Sequence, residues 1–163
     1  MGNICRSPTA HGVFQTMVDV EGLNESIIID SAGTYDFHIG KKPDSRSITA
    51  ASNRGYDLST LRARQVESSD FEKFDIILAM DNENYSDLLA QCNEIDPSSE
   101  VDQSCKVDKY KIKLFLEFAS NTKLREVPDP YYSGTDGFET VLDLIEDASR
   151  GLLKYIRSAH ALS

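Results

Sequence analysis

Gly2-Asn3-Ile4-Cys5-Arg6-Ser7-Pro8-Thr9 constrains the fold of this chain more than any other stretch, because it reads as a loop that turns directly into a helix. Gly2 and Asn3 tolerate the backbone angles of a tight loop, Ser7 is a good N-cap, and Pro8 is pre-set for the first helical position. From Ala10 onward Val13, Phe14, Met17 and Val18 fall on one helical face. The free amides of the first turn then point back into the loop, where the helix dipole and the guanidinium of Arg6 favour an anion. Residues 2–7 are thus an oxyanion cradle by chemistry, although a capped surface helix with a solvated arginine starts the same way.

At 163 residues and 40% hydrophobic content the chain suits one α/β domain, 1–163, with a core of its own. Seventeen basic against 27 acidic residues leave a formal charge of −10, which argues against a nucleic-acid partner or an anionic membrane surface. No run reaches the length of a membrane span, and no basic-then-apolar leader opens the chain, so the expected address is the cytoplasm. Cys5, Cys92 and Cys105 have neither metal-ligand spacing nor the density of a disulfide framework, and no metal or cofactor is expected. His11, His38 and His160 form no constellation and read as structural or surface residues.

Further along, Ile27-Ile28-Ile29 reads as a short buried parallel strand ending in the polar turn Asp30-Ser31-Ala32-Gly33-Thr34. Asp44 or Ser45 caps a helix that runs to about Arg54 and stops at Gly55. Arg62 and Arg64, at alternate positions, read as a solvated edge. The clearest internal strand is Asp75 to Ala79, leading to Met80-Asp81, with Asp81 placed to cap a helix over 82–90. Residues 91–108 read as a surface loop, and 111–119 as a strand or a helix. Val127-Pro128-Asp129-Pro130-Tyr131-Tyr132 is a stiff loop holding one carboxylate beside two aromatics, and Phe138 to Leu152 has the period of a long closing helix.

Asn3-Ile4-Cys5-Arg6-Ser7-Pro8, Asp30-Ser31-Ala32-Gly33-Thr34 and Asp129-Pro130-Tyr131-Tyr132 together resemble, in order and over essentially the whole chain, the low-molecular-weight protein tyrosine phosphatases. The resemblance implies a three-layer α/β fold with a short parallel sheet flanked by helices. It implies hydrolysis of phosphotyrosine proteins or small aryl phosphates through a cysteinyl-phosphate, with inorganic phosphate or sulfate as ligands, in a monomer. Gly2, Asn3, Ile4, Cys5, Arg6 and Ser7 would bind phosphate, Ser31 would help hold the loop, Asp129 would be the general acid, and Tyr131 and Tyr132 would wall the entrance. By the same likeness Asp81 ends a strand near the catalytic loop.

In that family the attacking cysteine stands six residues ahead of the loop arginine, which here is the position directly before Met1. Cys5 matches the second loop cysteine, which does not attack but can pair with the first. The likeness also puts the first sheet strand ahead of Met1. The expectation is therefore a truncated start, with neighbouring strands about 10 Å apart and negligible hydrolysis by the chain as given. Two other classes share these features: a phosphate or phosphotyrosine binder without catalysis, and an arsenate reductase in which Cys92 and Cys105 would relay.

Overall fold

Helices form where local signals put them. A computed structural model describes residues 2–95 and 109–160. Helix α1 (Arg6–Val20) begins two residues before the position a Ser7 cap predicts. Cys5 takes the N-cap place without a side-chain bond, because the Ser7 hydroxyl is engaged by Asn3 instead. Pro8 still lies in the first turn, where no intrahelical N–H is required. The helix ends at Gly22, left-handed at φ 67°, with the Leu23 amide returned to the Val18 carbonyl at 3.0 Å. Helix α2 (Ser45–Asn53) is capped as predicted: the Asp44 carboxylate accepts from the Arg46 amide at 2.9 Å, and Gly55 follows the helix at φ 85°.

Helix α3 (Asp70–Lys73) leads into strand β1 (Ile77–Ala79), which is shorter than the apolar run predicts. Helix α4 (Asn82–Ile95) passes the predicted end at 90, so the first part of the expected 91–108 loop is helical. The rest of that loop, with Cys105, lies outside the described residues. Both expectations for 111–119 are realised, as strand β2 (Ile112–Leu114) runs straight into a 3-10 turn over Phe115–Phe118. Helix α5 (Thr135–His160) closes the chain.

Strands β1 and β2 pair in parallel, with Ile77 opposite Ile112 and Ala79 opposite Leu114. Successive side chains face opposite ways. Ile76, Leu78 and Met80 enter the larger core, which holds Val13 and Phe14 of α1 with Ile145 and Leu152 of α5. Ile77 and Ala79 enter a smaller one with Phe71, Leu88 and Cys92. Helices therefore cover both faces of the sheet, which is the three-layer α/β arrangement expected, and α2 packs on α1 and α5.

Ile27-Ile28-Ile29 corrects the reading above: the segment is not in a ladder, and Ile28 is 74% exposed. Ile27 and Ile29 pack on the larger core, but the segment gains a parallel bridge only at Gly33 with Gln65. A cavity of about 950 Å³, lined by Ile27, Ile29, Phe14, Leu78 and Leu152, separates it from β1. Among the described residues no strand lies between them. A β-branched run becomes a strand only where another extended backbone pairs with it, and among the described residues this segment has no ladder partner.

Candidate active site

The loop ahead of α1 is tied down by residues far away in sequence. Gly2 rests against the His38 imidazole, and a Cβ there would lie 2.4 Å from His38 Cδ2. Asn3 is buried in the left-handed region at φ 55°, a conformation Asn reaches more easily than most residues. Its amide donates from Nδ2 to Ser7 Oγ at 2.8 Å, while Oδ1 accepts from the Arg64 amide at 3.3 Å. The Ile4 carbonyl accepts from the Asp44 amide at 2.7 Å, and the Cys5 carbonyl from Thr9 Oγ1 at 2.8 Å. A Ser7 oxygen that already accepts from Asn3 keeps its own proton to donate.

Arg6 is buried at 6% exposure, and its Nη1 donates to Asp81 Oδ2 at 2.6 Å and to the Val127 carbonyl at 2.8 Å. Asp81 thus fills both roles the sequence leaves open, since its other oxygen accepts from the Asn84 amide at 2.8 Å and caps α4. The Val127 amide donates to the Met80 carbonyl at 2.8 Å, extending the line of β1 and drawing Val127-Pro128-Asp129 toward the loop. Asp129 borders the same cavity as residues 2–7, together with Tyr131 and Tyr132. Its Oδ1 accepts from the Tyr131 amide at 3.0 Å, Pro130 behind it is fully buried, and the two tyrosine rings meet edge-on at 5.0 Å.

Ser31 meets the first helix rather than the loop: its Oγ lies 3.3 Å from His11 Nδ1. His11 consequently has a partner the sequence did not suggest, and burial lowers its pKa. Arg64 is no solvated edge. It bonds Asp30 and Asp70 and supplies the amide that holds Asn3; burial raises the Asp70 carboxyl, but the Arg64 bond and charge, the Glu67 amide and the charge of Lys73 together keep it below the usual range. Phe37, stacked on Tyr35 at 5.5 Å and 70% exposed, borders the same cavity as Tyr131 and Tyr132; an aromatic left in the polar 35–43 loop was the signal for it.

Cys5 faces inward at 7% exposure, and burial, then the charge of Asp44, push its thiol up to about 11 from 9.0. A thiol raised by two units has about 100-fold less thiolate at neutral pH. Alkylation of Cys5 by iodoacetamide at pH 7.5 is therefore expected to be about 100-fold slower in the folded chain than after denaturation, read by mass spectrometry. The same shift has a stability sign. The folded thiol stays protonated while the unfolded one ionises, so its contribution is whole below pH 9 and declines as pH rises through about 11.

The family model described as low molecular weight phosphotyrosine protein phosphatase matches residues 1–161. A protein of that name from Schizosaccharomyces pombe is 38% identical over 157 residues, which are 96% of this chain and 92% of that protein. The human protein of the same name is 35% identical over 94% of this chain and 90% of its own length. Among solved structures, a protein tyrosine phosphatase from Entamoeba histolytica with Hepes in its active site superposes with a TM-score of 0.86 at 40% identity, covering 98% of this chain and 94% of that one. YfkJ from Bacillus subtilis superposes at 0.84 with 34% identity, covering 98% and 92%.

Proposed function

The chain belongs to the low molecular weight phosphotyrosine protein phosphatases, and from that premise we propose how its residues divide the work of hydrolysing an aryl phosphate. Residues 2–7 hold the phosphoryl group, with Arg6 and the loop amides neutralising its oxygens and the Ser7 hydroxyl donating to the centre of the loop. The buried, proton-retaining Cys5 is unsuited to act as the attacking thiol. Asp129 protonates the leaving phenolate and then activates water against the cysteinyl phosphate. Tyr131 and Tyr132, joined by Phe37, present flat apolar walls to a phenyl ring. The substrate is a phosphotyrosine side chain or small aryl phosphate, inorganic phosphate or sulfate binds the same loop, and the protein works as a monomer in the cytoplasm. No helix among the described residues is long and apolar enough to cross a membrane.

The observation that carries this reading is the shared cavity. Although Arg6 and Asp129 are far apart in sequence, the Arg6 bond to the Val127 carbonyl pins the acid loop beside the oxyanion loop. Phosphate titration of the chain, followed by amide chemical shifts, tests it. The shifts should concentrate in residues 2–7 and 129–132. Arg6→Ala should weaken binding about 100-fold, as for loss of a desolvated charge-assisted pair. An affinity unchanged in that variant would remove Arg6 from the site.

A further inference from the structure

The acid loop and the oxyanion loop are also linked by a second path, which leaves Arg6 out. Asp44 stands between them: its amide donates to the Ile4 carbonyl of the oxyanion loop at 2.7 Å. Its carboxylate holds one edge of the Arg46 guanidinium, accepting from Nε at 2.9 Å and from Nη2 at 2.8 Å. The remaining nitrogen, Nη1, donates to the Tyr131 carbonyl at 3.0 Å. The guanidinium also lies 5.2 Å from the centroid of the Tyr131 ring and 4.8 Å from that of buried Phe138 at the base of α5.

We propose that Arg46, oriented by Asp44, is a positioning residue that couples the oxyanion loop to the acid loop, so that the placement of Asp129 follows the state of residues 2–7. The proposal rests on the roles assigned above to those two loops. Arg suits this place for a geometric reason. Its planar fork can satisfy the two carboxylate oxygens and a carbonyl at once while offering both faces to aromatic rings, whereas a lysine ammonium is a single point of charge. The Asp44 carboxyl, held below its usual range first by its hydrogen bond from Arg46, is ionised under all near-neutral conditions, so the link is permanently charged. Asp129 responds because its Oδ1 is bonded to the Tyr131 amide, one peptide unit from the carbonyl that Arg46 holds.

The test compares the wild-type chain with Arg46→Met, Arg46→Lys and Asp44→Asn, the last of which keeps a good N-cap for α2. Amide exchange in the free chain should quicken about tenfold at Tyr131 and Ser133 in Arg46→Met, the size expected for loss of a charge-assisted bond with a cation–π contact. Exchange in α1 and β1 should not change. Arg46→Lys should restore part of the protection, and Asp44→Asn combined with Arg46→Met should do no more than Arg46→Met alone, because the two act in series. On phosphate titration the Asp129 carboxyl carbon should shift in the wild-type chain and stay still in Arg46→Met, with phosphate affinity within about threefold. Unaltered exchange at Tyr131 and Ser133 in Arg46→Met, or a phosphate-induced Asp129 shift that survives the substitution, overturns the coupling. Acceleration spread evenly through α1, α2 and β1 also overturns it, by reducing Arg46 to general stability. A wild-type chain that binds no phosphate sinks the functional assignment beneath the proposal instead, and the exchange arm tells the two apart because it needs no ligand.

Discussion

With cysteine six positions ahead of Arg6 the protein is expected to hydrolyse p-nitrophenyl phosphate, and serine at the same place to lower the rate at least about 10⁴-fold, the scale seen when a catalytic nucleophile is removed. The loop that this residue joins passes through Gly2, which packs so closely on the His38 imidazole that a larger residue there would have to displace the ring. Loop amides at the N-terminus of α1 and a Ser7 hydroxyl that can donate are surroundings that stabilise a thiolate. Cys5 has the opposite environment, buried and raised to about 11. The serine form should still bind phosphate, because the amides and Arg6 are unaltered. Comparable turnover with serine, or activity that disappears with Cys5→Ser, would falsify the assignment of the thiol.

Asp129→Asn in the cysteine-bearing chain should lower kcat for phenyl phosphate by on the order of 10² to 10⁴, the usual yield of general-acid catalysis. Asparagine keeps an oxygen for the Tyr131 amide, so the loop should hold its shape and KM should move little. The loss must depend on the leaving group. Phenolate needs a proton in the transition state, whereas 2,4-dinitrophenolate leaves without one, so the second substrate should lose far less on its first step. Equal losses for both substrates would mean that Asp129 shapes the loop and transfers no proton at the leaving oxygen.

The candidate site was legible where its parts are strings of neighbours. Gly2 to Ser7 and Asp129 to Tyr132 were recognisable because each loop carries its residue types in a fixed order, and comparison with relatives places the whole chain in one family. Asp81 was harder. As a cap for α4 it follows from local pattern, but its bond to Arg6 spans 75 positions and has no local trace. The same holds for Arg64, which looked solvated until Asp30, Asp70 and Asn3 were found around it. Arg46 reads as an ordinary first-turn residue of α2, and only the structure puts Tyr131 above it.

What the chain determined by itself is its helices, their caps and the content of its two candidate site loops. A helix closes its hydrogen bonds within four residues, and Asp44, Gly22 and Gly55 act within the same reach. Tertiary structure decided which segments found a partner across the fold. Ile77-Leu78-Ala79 became a strand because β2 lies alongside it, whereas Ile27-Ile28-Ile29, of similar composition, pairs with no strand among the described residues. A strand's hydrogen bonds and a buried arginine's counter-ions must come from elsewhere in the chain, and sequence spacing does not encode how far away that is.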